Sequence, residues 1–293
     1  MQPHLYHLHA LSALHCGTGQ SAGIVDLPIA RARATQLPIV PGSSLRGVLR
    51  ALIEGENPAD ATTLFGPRAI NHADDIFAGA LTLGDATLLL LPVRALAGIL
   101  CYVTSPFILG RYAQDLQRSG LVPPPLPIKP AAGRARVATR SVNRQDGKLI
   151  LEDLDLVAEE DANLAAWGEF IARQVHPDDA TAREDLTTRL ALVPDDILSF
   201  LAETATEVRT RIAIDPATGT VKRGALWYEE NLPAEAILWG IYALTPSRNR
   251  ADPRTQQALG QSLPATGALV QLGGKAGVGR GLCRLLRQEV AHA

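Results

Sequence analysis

Pro41-Gly42-Ser43-Ser44-Leu45-Arg46-Gly47-Val48-Leu49-Arg50-Ala51-Leu52-Ile53-Glu54-Gly55 is the most regular stretch of the chain, and the architecture turns on it. Leu45, Val48, Leu49, Leu52 and Ile53 recur at i, i+3, i+4, i+7 and i+8, the spacing of one apolar helix face. Ser43 or Ser44 is placed to cap this helix, and Gly55 stands where it should stop. Arg46 and Arg50 share a different face. Gly47 costs helix stability, about 1 kcal/mol against Ala, which predicts that something approaches the backbone closely there. Unpaired N–H groups at the N-terminus, with Arg46 beside them, make an anion site of the kind that holds phosphate.

Outside this helix the pattern changes period. Leu5 to Ala13 alternates apolar and His residues and reads as a strand. Ala80 to Ala95, with a turn at Gly84-Asp85, and Leu100 to Thr104 are strand material. Thr104-Ser105-Pro106 opens a helix that runs through Leu116, with proline at its first position. Val122 to Pro130 carries five prolines and is irregular. Leu149 to Leu156 reads as a strand, Ala162 to Val175 and Asp195 to Ala205 as helices. Val208 to Leu232 reads as a long hairpin, turned by Asp215-Pro-Ala-Thr-Gly219. Ala236 to Leu244 is a further strand, Arg248 to Leu259 a short polar helix, and Leu269 to Leu272 and Cys283 to Gln288 close the chain. Helices interspersed with antiparallel pairings predict an α+β fold in a single domain over 1–293, with a mainly helical insertion at 110–205.

Composition narrows the function classes. Of 293 residues, 46% are hydrophobic, enough for a sizeable core. The greasiest stretch, Leu81 to Val103, is broken by Asp85 and Arg94, which argues against a membrane span. The N-terminus shows no secretory pattern, so a cytoplasmic location is expected. Cys16, Cys101 and Cys283 are odd in number and widely spaced, unlike a disulfide framework or zinc ribbon. A net charge of −2 argues against coating nucleic acid by bulk charge. The basic residues nevertheless cluster: Lys129 to Lys148, followed by an acidic stretch from Glu152 to Asp161; then Arg209, Arg211, Lys222 and Arg223; then Lys275, Arg280, Arg284 and Arg287. Three such clusters point to a localised anionic partner. Aromatics make up only 4% of the chain, so backbone tracking fits better than base stacking.

Gly273-Gly274-Lys275-Ala-Gly277-Val-Gly279-Arg280-Gly281 is the loudest motif. Glycines let backbone N–H groups meet phosphate oxygens, and Lys275 and Arg280 add charge. Ala276 replaces the Ser or Thr of a P-loop, and Leu282 replaces the last glycine of a dinucleotide fingerprint, so neither is present. A plain turn between two strands is the alternative. His4, His7 and His9 do not make a metal site in a strand, because His4 points away from the other two; core-edge or surface histidines are expected. Asp26 lies in a loop before Arg31 and Arg33. An aspartate in a loop is usually a turn former, yet it can hold a divalent metal or orient a ribose 2′-hydroxyl for in-line attack. The imidazole of His15 is the better intrinsic acid or base, and Tyr228 and Glu229 on the hairpin are further candidates.

At these residues the chain resembles a known family. Gly23-Ile-Val-Asp-Leu-Pro-Ile29, Pro41-Gly-Ser-Ser-Leu-Arg-Gly47, Asp85 to Leu109, Gly224-Ala-Leu-Trp-Tyr-Glu-Glu230, and Gly273-Gly-Lys275 with Val278-Gly-Arg280 resemble, in this order, RAMP-superfamily backbone proteins. The likeness is nearest to the filament-forming, target-RNA-cleaving subunit of the type III-B CRISPR Cmr complex. It implies a modified ferredoxin-like (RRM-like) core with insertions, and a β-hairpin thumb, here 206–234, that kinks a guide–target duplex. It implies copies stacked head to tail on a guide RNA, a single-stranded target RNA, and other Cmr subunits as partners. It places the cleavage aspartate at Asp26, acting with a divalent metal such as Mg2+ or Mn2+, and gives His15, Tyr228 and Glu229 supporting positions. Ser43, Ser44, Arg46, Arg50, Arg209, Arg211, Gly273, Gly274, Lys275, Gly277, Gly279 and Arg280 are the expected RNA contacts. Trp227 stands where the family leads one to expect Phe. A non-cutting scaffold subunit, or a RAMP endoribonuclease that matures guide precursors with His15 as base, are the alternatives.

Overall fold

The computed structural model describes residues 2–19, 25–69 and 76–289. The chain opens with β1 (Pro3–Ala10) and β2 (Ile39–Val40), then α1 (Gly42–Glu56) and α2 (Pro58–Phe65). It continues through β3 (Leu81–Leu83), β4 (Ala86–Ala95), β5 (Ile99–Thr104) and α3 (Pro106–Arg118). Next come β6 (Arg134–Val137), β7 (Arg144–Gln145), β8 (Lys148–Leu151), β9 (Leu154–Glu160), α4 (Ala162–Val175), α5 (Ala180–Thr188), β10 (Leu190–Leu192) and α6 (Asp195–Thr204). The hairpin β11 (Glu207–Ile214) and β12 (Val221–Asn231) leads into β13 (Ile237–Leu244), α7 (Gln256–Gly260), β14 (Ala268–Gln271) and β15 (Leu282–Arg287).

The main sheet runs β14-β15-β1-β13-β4-β5-β10-β6-β9-β8-β7. Its first half is antiparallel throughout. In its second half β8 pairs back onto β4 at Ala95↔Leu151, so β4, β5, β10, β6, β9 and β8 curl into a six-stranded, barrel-like sheet. The fold is therefore α+β and sheet-rich, and the 110–205 segment, expected to be mainly helical, mixes helices with short strands. It holds α4, α5 and α6 but also β6 to β10, which build most of the barrel. Several of these strands are only two to four residues long, too short for alternation to be read from sequence. The helix expected over Arg248 to Leu259 shrinks to α7, because Pro253 cannot donate to a helix and Arg254 turns away to pair with Asp60 and Asp252.

β1 and β13 are buried on both faces. Leu45 and Leu49 of α1 lie with Tyr6 and Tyr242 on one side, and Ile53 is buried in the same stripe, whereas Leu52, expected in it, is exposed. On the other side His7 meets Tyr112 of α3, which in turn stacks with Trp167 of α4. This is why His4, His7 and His9, expected at the core edge or surface, are all buried. A sheet covered on both faces turns its polar alternation inward. His7 Nε2 is hydrogen-bonded to the Tyr112 hydroxyl at 2.7 Å, and His9 Nε2 to Glu235 at 2.7 Å.

Burial pushes His7 down to about 4 from the ordinary 6.5. Above pH 6.5 it is neutral folded and unfolded, and contributes nothing to pH dependence. As pH falls from 6.5 towards 4, the unfolded chain takes up a proton that the folded one refuses, so stability drops by up to about 3 kcal/mol. Urea titrations at pH 7 and pH 4.5 should show this loss, and His7→Gln, which keeps a partner for Tyr112 without titrating, should reduce the difference.

Four basic residues of the stretch 129–148 are paired within the chain. Arg134 and Arg136 pair with Glu159, Arg144 with Glu160 and Lys148 with Asp155. The acidic stretch that follows it in sequence lies beside it in the sheet, through β6–β9 and β8–β9 pairing.

Candidate functional site

Three separated segments meet at the root of the β11–β12 hairpin. Residues 14–18 pair with 28–30, through Gly17↔Ile29 and Ala30 N–H to Cys16 O at 2.7 Å. Leu27 lies parallel to Glu229 of β12, giving to Tyr228 O at 3.1 Å and taking from Glu230 N–H at 3.1 Å. The exposed Asp26 is thereby laid against the hairpin, and its Oδ2 accepts the Tyr228 N–H at 2.8 Å. Among the described residues this is the one hydrogen bond seen at the carboxylate. Gln20 to Ile24, including the start of the Gly23–Ile29 motif, lie outside the described residues.

His15 is buried at the same root. Its Nδ1 donates to the Glu230 carbonyl at 2.7 Å, which fixes the orientation of the ring. A Cβ on Gly17 would lie 2.7 Å from Nε2, and one on Gly273 only 2.2 Å from the His15 carbonyl oxygen, so both glycines exist to let His15 in. Gly274 N–H donates to that carbonyl at 2.9 Å. The run 273–281 is thus the turn between β14 and β15, folded onto His15. Gly273, Lys275, Gly279 and Gly281 take left-handed backbone. Gly277 and the Lys275 side chain are exposed.

The structure therefore brings Asp26, His15, Tyr228, Glu229 and the glycine-rich run together, which sequence spacing alone could not show. It reassigns several of them. Glu229 has no exposure and lies 3.5 Å from Arg280 Nε. It cannot reach RNA, and Arg280, itself buried, is committed to it rather than free for phosphate. Glu229 Oε2 is a buried oxygen without a partner. Tyr228 keeps 39% exposure and can touch a ligand beside Asp26.

The α1 contacts are also corrected. Pro41 occupies the N-cap, neither Ser43 nor Ser44 caps the helix, and the first N–H, of Gly42, goes to Asp85 Oδ1 at 2.7 Å. A carboxylate already fills the place of an anion there. Arg46 donates to Phe65 O at 2.6 Å and lies over the Phe65 ring, and Arg50 donates to Gly66 O at 3.0 Å; together they hold the end of α2. Among the described residues nothing lies within 4 Å of where a Gly47 side chain would begin, and the residue is exposed. Arg209 pairs with Glu207 beside it, and Arg211 stands opposite Trp227 on the hairpin.

Sequence reading missed Glu230 and Arg31. Glu230 accepts from Ile29 N–H, Arg31 and Thr206. The available signal was the doublet Glu229-Glu230 in a strand, where one acid must face inward.

An α+β chain with a half-open antiparallel sheet, a barrel-like insertion and a projecting hairpin beside an acidic loop defines a class, and the comparisons agree: the chain belongs to the RAMP superfamily, whose profile matches residues 7–284. It is 33% identical to the CRISPR system Cmr endoribonuclease Cmr4 of Pyrococcus furiosus, over 100% of this chain and 98% of that protein. The crystal structure of oligomeric Cmr4 from Pyrococcus furiosus is similar with a TM-score of 0.76 at 28% identity, covering 100% of both chains. A chain of the type III-B Cmr-beta complex bound to cognate target RNA shares the fold, with a TM-score of 0.74 at 21% identity over 97% of this chain and 96% of that one.

Proposed function

We propose that this chain is the guide-RNA-binding backbone subunit of a type III-B CRISPR effector complex, stacked in several copies, and that it cuts guide-paired target RNA at regular intervals in the cytoplasm. The observation that carries this is the docking of the Asp26 loop on the hairpin root, with Asp26 Oδ2 on the Tyr228 N–H at 2.8 Å. It joins the residue suited to RNA cleavage to the element suited to distort RNA. Full-length likeness to a protein named as an endoribonuclease supports the activity. We read β15-β1-β13-β4 as the modified ferredoxin-like core, since these strands are adjacent and antiparallel.

The hairpin forms its own two-stranded sheet. Val208, Ile212, Ile214, Val221, Leu226 and Tyr228 share one of its faces and are exposed. A lone hairpin is marginal in water, so this face suits cover by RNA and neighbouring subunits. Arg211, Lys222 and Arg223 on the hairpin, and Lys275 with Gly277 on the 273–281 turn, are the groups we assign to phosphates.

Among the described residues no group of three or more His, Cys, Asp or Glu could hold a metal ion alone. Asp26 fits Mg2+ or Mn2+ as one carboxylate completing a shell of water and RNA phosphate oxygens, the usual way Mg2+ is held. Such an ion would neutralise charge on the phosphate under attack. Asp26 would orient the 2′-hydroxyl, and buried His15 would hold the loop's shape from behind.

The test is cleavage of a labelled, guide-complementary RNA by the reconstituted complex. Evenly spaced cuts that need divalent metal and stop in EDTA are expected. A free chain that cuts guide-precursor hairpins without metal would contradict the reading.

A further inference from the structure

We infer that the Glu230–Arg31 ion pair is a positioning device for Asp26, fixing the register between the Asp26 loop and the hairpin; this rests on the function proposed above. Asp26 itself is exposed, and among the described residues one hydrogen bond holds its side chain. Its placement must come from elsewhere. In an extended segment a slip of one residue turns every side chain to the opposite side, so an unanchored loop could pair with β12 while aiming Asp26 away from the RNA.

Glu230 supplies the anchor. Its Oε2 accepts Ile29 N–H at 3.1 Å, and its Oε1 accepts Arg31 at 2.5 Å and Thr206 Oγ1 at 3.0 Å. Its own N–H donates to Leu27 O, and its carbonyl takes His15 Nδ1. Arg31 completes the clamp, donating to Ala202 O at 2.9 Å and to Gln36 O at 2.9 Å. One residue of β12 thus ties the Asp26 loop, the His15 segment and the start of the hairpin, while Arg31 ties the same loop to α6. The two side chains are only 17% and 8% exposed. Buried ion pairs are poor sources of net stability compared with apolar replacements, and their best-attested use is to fix register. A reacting carboxylate displaced by about 1 Å loses on the order of 100-fold in rate, so the clamp has a catalytic consequence without touching RNA.

The test uses the assembled complex under single-turnover conditions, with Asp26→Ala as reference. Arg31→Met should slow cutting by about 100-fold while guide occupancy and target affinity stay within about twofold. Arg31→Lys should recover about tenfold of that loss by restoring the charge. Glu230→Gln should be slow too, and the Arg31→Met/Glu230→Gln double variant no slower than the slower single variant, as expected of one unit. If both single variants cut at the wild-type rate while Asp26→Ala is inactive, the clamp is wrong and the functional reading survives. If both lose guide occupancy in step with rate, the pair is merely structural and the inference fails. If Asp26→Ala cuts normally, the functional reading itself falls.

Discussion

A target RNA carrying a single 2′-deoxy nucleotide at one cut position should lose that cut and keep its neighbours. On the proposed function the scissile linkage meets the exposed Asp26 carboxylate, while among the described residues Cys16 and Cys283 are buried and pushed up to about 11 and 12, and His15 is shielded beneath its glycines. The nucleophile that fits is the ribose 2′-hydroxyl next to the phosphate, oriented by Asp26 and attacking in line. Alignment of an intramolecular nucleophile is worth several orders of magnitude, so its removal should cost at least about 1,000-fold at that position. A gel of end-labelled target with the deoxy position moved along the strand checks it. An undiminished cut at the deoxy site would mean that water attacks instead.

Gly273→Ala should be among the most damaging substitutions away from Asp26. Gly273 has φ +74°, which side-chain-bearing residues rarely adopt, and its Cβ would lie 2.2 Å from the His15 carbonyl oxygen and 2.8 Å from its carbonyl carbon. Backbone cannot yield as a flexible side chain does. Relief requires breaking the Gly274 N–H bond to His15 and moving the 14–18 segment, against which residues 28–30 are paired. The cost is strain plus a broken contact, at least about 3 kcal/mol, or roughly 6 °C in Tm. Gly277→Ala, on the same turn but with open space around it and no positive φ, should have little effect on stability. Thermal melts of the two variants side by side would distinguish this account from one in which the glycines serve only to let phosphate approach.

Much of the architecture was legible because period and punctuation agree. The apolar stripe from Leu45 to Ile53, the Ser105-Pro106 helix start, the turn at Gly84-Asp85 and the hairpin around Asp215 to Gly219 all appear where local sequence puts them. The barrel was not legible, since β6, β7, β8 and β10 have two to four residues each and their basic residues read as a cluster for an anionic partner. Their meaning lies in pairing across the sheet, Arg134 and Arg136 with Glu159, which a linear reading records as separate basic and acidic blocks. Asp26, His15 and Lys275 were singled out by family resemblance and residue type, and the structure gathers their segments at the hairpin root. The burial of Glu229 and Arg280, and the hold of Arg46 and Arg50 on the end of α2, were not legible, because the sequence does not report exposure. Glu230 was overlooked because its neighbour Glu229 has the same chemistry; only the strand's alternation separates the clamp from the buried partner of Arg280.

The most direct test of the central claim is the rate of target cleavage by complexes containing wild type or Asp26→Ala, compared at matched guide occupancy in magnesium with a labelled, guide-complementary RNA. Loss of every evenly spaced cut, with guide and target binding unchanged, is the result this account predicts. Cuts that persist at the same positions and rate would contradict it and leave the chain a scaffold for RNA.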